Sequence, residues 1–319
     1  MTAARGARSL DGVIRPFAAA SAATLFALVV LLVPATAAPL APSAPSARNS
    51  PAPDPATVVV VDGRAEPPQP ELRQRPKVRG DHRFGQKVRA TRGRWRHGSD
   101  VDEVRFRWMR DGEPIRGRRA GARSYRIAPQ DVGHRIKVRV RVRIAGQPWV
   151  EASSRFRKAR HRQPVRRTVT WSLATRGRIT ADVRGFARKA QQTFDDPRGW
   201  RGHGVEFRRV ARGGSFTLVL AEASTVPTFS SGCSAQWSCR VGRFVVINQT
   251  RWQHASPAWN AAKRSLRDYR HMVVNHETGH WLGRGHARCG GRGQLAPVMM
   301  QQSKGRAGCR FNPWPLRGE

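Results

Sequence analysis

The chain has 319 residues, enough for about two domains of roughly 100–200 residues each. Hydrophobic residues make up 39% of it, below the usual share of one compact globule, which predicts non-globular segments. The formal net charge is +38, and 52 of the 59 basic residues are arginine. Such a charge favours anionic surroundings, including nucleic acid, membrane surface or acidic wall polymer. Because the arginines are spread along the chain without a nucleic-acid motif, a solvated surface is preferred over a specific nucleic-acid-binding role.

Residues 1–38 have the pattern of an export signal. Arg5, Arg8 and Arg15 precede an apolar run from Phe17 to Val33, and Ala35-Thr36-Ala37 then gives an A-x-A cleavage pattern. The apolar run is long for a signal peptide and short for a membrane span, so a cleaved signal and a retained membrane anchor both stay open. Either alternative predicts a protein that is secreted or anchored at the outer cell surface.

Residues 39–76 are rich in Pro, Ala and Ser, which predicts an extended linker without a packed core. From residue 77 to about 160 the pattern changes to strict alternation. Val104, Phe106 and Trp108 alternate with Arg105, Arg107 and Met109, which predicts a second, charged face that includes Met109. The apolar residues from Ile136 to Ile144 likewise alternate with Lys and Arg. A period of two with one charged face predicts half-buried antiparallel strands.

A turn signal, Arg110-Asp111-Gly112-Glu113, lies between these strands. Together with Trp108, Tyr125 and Asp131-Val132-Gly133, it resembles the small cysteine-free immunoglobulin-like modules of bacterial surface proteins. The resemblance implies an N-terminal all-β immunoglobulin-like sandwich over residues 77–160, with Trp108 in its core. The arginine-rich strand face either contacts an anionic cell-wall polymer or is simply solvated, and the solvated interpretation is preferred.

Residues 166–319 mix strand and helix patterns. Strands are predicted at Val169–Leu173, Phe216–Leu220 and Phe244–Ile247. Thr180 is expected to cap a helix whose apolar stripe consists of Val183, Phe186, Ala187, Ala190 and Phe194. Helical pattern returns between Ser256 and Ser265 and continues to Leu282. The mixture predicts a second domain of mixed α/β or α+β class.

All four cysteines lie in this second domain, and none forms a C-x-x-C pair. An even number in an exported chain predicts two disulfides, although four cysteines allow three connectivities. We favour Cys233–Cys239 as a local clamp and Cys289–Cys309 as a clamp on the C-terminal segment. Cys289 lies three residues after His286, so metal binding by its thiolate is an alternative, but a disulfide is preferred.

The stretch from His276 to His286, HETGHWLGRGH, fits H-E-x-x-H-x-x-G-x-x-H at every fixed position. On a helix, His276 and His280 project from the same face one turn apart. Gly283 can adopt a left-handed conformation and end the helix, so that the chain turns back and His286 reaches the same metal. Three neutral imidazoles leave a fourth zinc position open, which is the pattern of a catalytic site, and Glu277 stands beside it.

This motif resembles the metzincin clan of zinc peptidases. The domain as a whole looks most like a small metzincin-like domain of high-GC Gram-positive bacteria whose substrate is not established. The resemblance implies hydrolysis by a zinc-bound water, with Glu277 as the general base that returns the proton to the leaving amine. It also implies a methionine turn beneath the metal, formed by Met299 or Met300. The residues that follow, Gln301 and Gln302, argue against the tyrosine ligand of astacin-like relatives.

By the same resemblance, a protein or peptide substrate lies extended along an edge strand upstream of the motif. Phe244–Ile247 is the candidate, and the alternative, that it is an ordinary core strand, stays open. The sequence therefore predicts an exported zinc-dependent endopeptidase. The alternative is a non-catalytic, zinc-containing adhesion protein of the cell surface. No cysteine precedes Cys233, so the N-terminal region has no thiol with which to block the zinc.

Overall fold

The computed structural model describes residues 70–96, 98–144 and 147–319. The export signal expected over residues 1–38 and most of the linker lie outside these described residues. Residues Glu71–Gln74 form a strand inside the segment assigned to the linker, so the folded part begins before residue 77. No helix within the described ranges is long and apolar enough to cross a membrane.

The first described part, residues 70–160, is called the β-rich region. Its described strands are β1 (Glu71–Gln74), β2 (Val78–Arg79), β3 (Lys87–Ala90), β4 (Arg94–Arg96), β5 (Glu103–Arg110), β6 (Glu113–Pro114), β7 (Ser124–Arg126), β8 (Arg135–Arg143), β9 (Val150–Ser153) and β10 (Arg157–Lys158). They form three sheets: β1 with β4, β2-β3-β7, and β10-β8-β5-β6 with β9 also paired to β8. Every strand pair in these sheets is antiparallel.

The inward-facing residues of β5 and β8 form the core of the β-rich region. The alternate residues of β8 are fully buried, as predicted: Ile136, Val138, Val140 and Val142. Trp108 of β5 is also fully buried and stacks on Tyr125, with ring centroids 5.4 Å apart. Met109 was expected on the charged face but is fully buried too, so the charged face is less continuous than the pattern indicates. The predicted turn forms between β5 and β6, where Asp111 and Gly112 both have positive φ.

The second part, residues 166–319, is called the site region. It contains β11 (Arg167–Arg176), α1 (Val183–Asp195), β12 (Val205–Arg209), β13 (Phe216–Ala221), β14 (Cys239–Val241), β15 (Phe244–Asn248), α2 (Gln249–His254), α3 (Pro257–Ala261) and α4 (Leu266–Trp281). Its described sheet has the order β12-β11-β13-β15-β14, parallel throughout except for β14. A β-rich part followed by a mixed part agrees with the broad fold class expected from the sequence.

The capping residue of α1 differs from the prediction. Asp182, not Thr180, is the N-cap, and its side chain accepts a hydrogen bond from the Gly185 amide at 2.9 Å. Thr180 instead donates its backbone amide to the Gln249 side chain. The apolar stripe is as expected, since the core-facing residues of α1 are buried: Phe186, Ala187, Ala190 and Phe194.

The predicted strand Phe244–Ile247 exists, but its assignment as the edge strand is wrong. β15 lies inside the sheet, parallel to β13 on one side and antiparallel to β14 on the other. The physical reason is a tight hairpin at Gly242, whose φ of 52° reverses the chain and lays Cys239–Val241 along the outside of β15. The edge strand next to the site is therefore β14.

Candidate metal centre

Helix α4 carries the first two histidines of the motif. Ser265 caps it by accepting a hydrogen bond from the Asp268 amide at 3.0 Å. One face of α4 enters the core of the site region through Met272 and Val273, beside Val245 and Ile247 of the sheet. Gly283 ends the helix with φ +90°, as predicted, and the chain turns toward His286.

The three motif histidines converge on one point. Nε2 of His280 lies 3.2 Å from Nε2 of His276 and 3.1 Å from Nε2 of His286. Candidate ligand atoms of all three residues lie within 4.8 Å of one another. Tetrahedral zinc with Zn–N bonds of about 2.0–2.1 Å places its ligand nitrogens about 3.3 Å apart. The two separations from Nε2 of His280 therefore fit zinc.

Backbone carbonyls fix the orientation of two of the rings. Nδ1 of His276 donates to the Val298 carbonyl and Nδ1 of His280 donates to the Arg284 carbonyl, each at 2.8 Å. Burial lowers the pKa of His276 to about 3, so its ring is neutral. Burial also lowers the pKa of His280. Because a neutral ring with a proton on Nδ1 has only a lone pair on Nε2, lone pairs face each other across the cluster. A bound cation resolves this repulsion, and carbonyl-oriented histidines are typical of metal sites.

Glu277 lies next to the cluster as a buried carboxylate, with 6% of its surface exposed. Burial raises its pKa to about 8, and the nearby Arg240 guanidinium opposes that rise. Among the described residues, none donates a hydrogen bond to its carboxylate. The side chain instead lines a cleft of about 330 Å³ that also contains the three histidines. Glu277 is thus placed to interact with a molecule in this cleft.

The structure distinguishes the two candidate methionines. Met299 is 2% exposed and packs against Gly279 of α4, where any Cβ would overlap its Sδ and come within 2.8 Å of Trp200. Met300 belongs to a separate small cluster with Ala296 and Cys309. Met299 is therefore the methionine that lies under the histidine helix.

A carboxylate at residue 319, which the sequence analysis missed, holds the turn that carries Met299. Glu319 accepts hydrogen bonds from the amides of Val298 at 2.9 Å, Met299 at 2.8 Å and Leu316 at 2.7 Å. The carbonyl of Val298 is the group that orients His276. No local pattern identifies such a contact, because it joins segments about twenty residues apart.

Both favoured disulfides are present, Cys233–Cys239 and Cys289–Cys309. The first lines the cleft beside β14. The second ties the segment after His286 to the C-terminal segment, so Cys289 is bonded to sulfur and is not a free thiolate ligand. The closing Asn312-Pro313-Trp314-Pro315 also anchors α4, because the Asn275 side chain donates to the Pro313 carbonyl at 2.9 Å.

A comparison with protein-family models matches residues 177–316 to a family described as "Protein of unknown function (DUF3152)". The matched segment covers less than half of the chain but contains the three histidines, Glu277, Met299 and both disulfides. No curated protein and no solved structure matches the chain. The match identifies a family segment around the site without assigning an activity to it.

Proposed function

We propose that this chain is a zinc-dependent endopeptidase of the metzincin type. The observation that carries the proposal is the convergence of three histidine side chains, in which the Nε2 atoms of His276 and His286 lie at distances from His280 Nε2 that fit tetrahedral zinc. Beside them lies a carboxylate to which no described residue donates a hydrogen bond. His276, His280 and His286 would hold the metal. A bound zinc ion supplies Lewis acidity, which acidifies water and polarises a peptide carbonyl.

The residues of the chain do the rest of the chemistry. Glu277 faces the cleft, so its carboxylate can accept a proton from the attacking water and pass it to the leaving amine. Val298 and Arg284 keep the Nε2 atoms of His276 and His280 directed toward the metal position. Met299 packs beneath α4, as expected for the methionine of a metzincin-type turn.

The sheet offers a place for an extended peptide. β14 pairs only with β15 among the described strands, so its other edge has free backbone groups beside the cleft. A peptide that binds along such an edge is held by main-chain hydrogen bonds, whatever its sequence. We place the substrate along β14 by similarity to the metzincins, in place of the strand Phe244–Ile247 expected from the sequence.

For the β-rich region we propose an immunoglobulin-like module at the cell surface. Its support is the buried Trp108 stacked on Tyr125 and the corner at Asp131, which accepts a hydrogen bond from the Tyr125 hydroxyl. Export is supported by the two disulfides, which are typical of oxidising compartments. The exposed arginines of β5 and β8 are the candidate contact for an anionic wall polymer.

The test is cleavage by the zinc-loaded protein and by its Glu277→Gln variant. We expect the variant to retain zinc, because the three ligands remain, and to lose about 10²–10⁴-fold in turnover with the general base removed. Zinc content is measured by elemental analysis and turnover on a casein or peptide mixture by mass spectrometry. A variant as active as the parent would refute the assigned mechanism, and a zinc-loaded parent without cleavage would favour the non-catalytic adhesion protein.

A further inference from the structure

The candidate cleft has an unbalanced charge. Apart from the motif histidines, its charged lining residues are Glu277, Arg240 and Lys304. Glu277 is the proposed general base, so it is committed to the reaction. Two cations therefore face the space where a substrate would lie, with no other carboxylate in the lining to balance them.

Arg240 comes from the middle of the edge strand β14. Its register partner is Val245, whose side chain is buried in the same core cluster as Met272 and Val273 of α4. The neighbours of Arg240 in the strand, Cys239 and Val241, pack in a separate cluster with Val246 on the other side of the sheet. Because side chains alternate along a strand, Arg240 is the β14 side chain that points toward the α4 side and its cleft.

Lys304 enters the cleft from a different segment, which follows Met299. It is exposed, and its charge contributes to the lowered pKa of His286, after the larger effect of burial. The charge of Arg240 opposes the rise that burial causes in the pKa of Glu277, and it adds to the lowering that burial causes in the pKa of His280. The two cations thus lie near different members of the proposed catalytic cluster.

Neither side-chain cation has a partner within the described part of the chain, since no hydrogen bond or ion pair joins the Arg240 guanidinium or the Lys304 ammonium to another described residue. This sets Arg240 apart from the other arginine of its hairpin: Arg243 donates to the Gly214 carbonyl at 2.7 Å. Arg198 of the site region likewise pairs with Asp196 at 2.7 Å. What distinguishes Arg240 from these paired arginines is that its guanidinium is unpaired and lines the cleft of the proposed catalytic cluster.

We infer that the cleft selects acidic peptides, with a substrate carboxylate bound by Arg240 and attracted by Lys304. A guanidinium binds carboxylates in a planar, two-point geometry. Arg240 is exposed, so solvent screens the pair and we expect a modest contribution from it. The carboxylate comes either from an Asp or Glu side chain or from the C-terminus of a peptide. This inference rests on the proposed peptidase function.

The experiment uses the full zinc-loaded protein and a library of short peptides with blocked termini, in which Glu and its isostere Gln are exchanged at each position. A second set carries a free C-terminal carboxylate. We expect kcat/KM about fivefold to tenfold higher for a Glu-containing peptide than for its Gln counterpart, with the preference reduced by added salt. If only the peptides with a free C-terminus are preferred, the bound carboxylate is the C-terminus of the substrate peptide.

Variants test whether the preference for Glu over Gln peptides depends on Arg240. Arg240→Gln should abolish the Glu preference, Arg240→Glu should shift it toward Lys-containing peptides, and Lys304→Gln should reduce it partially. Arg212→Gln is the matched control, because Arg212 is an exposed arginine in the loop between β12 and β13, outside the cleft lining. An unchanged Glu-to-Gln ratio in Arg240→Gln would overturn the inference.

Binding measurements test acidic selectivity independently of the proposed peptidase activity. The zinc-loaded Glu277→Gln variant is titrated with the same Glu and Gln peptides by calorimetry. Tighter binding of the Glu peptides, lost on adding Arg240→Gln, supports acidic selectivity even if the parent cleaves nothing and the peptidase proposal fails. Equal binding of the two series, or a preference that survives Arg240→Gln, overturns acidic selectivity even if cleavage is observed.

Discussion

The β-rich region and the site region each bury one carboxylate, and the two carboxylates have opposite surroundings. Asp131 is fully buried and accepts four hydrogen bonds. Its donors are Arg110 through Nε at 2.9 Å and Nη2 at 2.7 Å, the Tyr125 hydroxyl at 2.8 Å and the Ala128 amide at 2.7 Å. Glu277 is nearly as buried but accepts no hydrogen bond from any described residue.

The difference separates a structural carboxylate from one available for chemistry. Burial of a charged group is costly unless donors replace the lost water, and Asp131 has its donors within the protein. Glu277 lacks them, and burial raises its pKa to about 8. Its side chain lines the cleft, where a water or substrate can donate to it. The same side-chain chemistry therefore stabilises a corner in one region and is left free to react in the other.

Paired isosteric substitutions test this distinction, and the largest effect on stability is expected at Asp131. Asp131→Asn leaves the Arg110 guanidinium without its anion and places an amide where Tyr125 and Ala128 donate. We expect a loss of about 2–4 kcal/mol in the free energy of unfolding, measured by urea denaturation. Zinc content per folded chain should not change, because Asp131 belongs to the other region.

Glu277→Gln is the matched control for stability. Burial raises the pKa of Glu277 to about 8 and no described residue donates to it, so an amide of the same shape replaces it at little cost. Metal-free protein should therefore lose less than about 0.5 kcal/mol or gain slightly. If Asp131→Asn is tolerated while Glu277→Gln destabilises the fold strongly, the assignment of the two carboxylates must be reversed.

A smaller effect is expected at Glu319, which supports the site from a distance. Glu319→Ala removes the acceptor for three amides, so the turn that presents the Val298 carbonyl loosens. We expect about 1–3 kcal/mol lower stability and zinc affinity about tenfold weaker, since partners of metal ligands typically contribute 10- to 100-fold. Competition with a chromophoric chelator measures the affinity.

Arg317→Ala is the control for that prediction, because Arg317 is an exposed neighbour in the same segment. Equal zinc affinity in Glu319→Ala and Arg317→Ala would show that the clamp at Glu319 has no influence on His276.

The sequence alone predicted the parts of the site that depend on local spacing. The helical repeat places His276 and His280 on the same face of α4. Gly283 ends the helix with a positive φ, a conformation that glycine adopts readily. The disulfides also follow, because only four cysteines are present and few pairings are possible. The histidines and the helix end involve residues that are close in sequence, so periodicity and spacing are sufficient to identify them.

Features that depend on tertiary contacts were not predicted. The edge position of β14 depends on how a hairpin folds against β15, and the choice of Met299 over Met300 depends on packing against Gly279. The clamp at Glu319 and the inward direction of Arg240 depend on strand register and on long-range hydrogen bonds. Nor did the sequence distinguish Asp182 from Thr180 as the cap of α1, because both residue types are good caps.

The central claim is that His276, His280 and His286 form one zinc site. Elemental analysis combined with zinc K-edge X-ray absorption on the full protein tests it most directly. The account predicts one zinc per chain with three imidazole nitrogens and no sulfur in its coordination shell, and loss of most of the metal in His286→Ala. No zinc in the folded protein, two ions per chain, or sulfur ligation would contradict it.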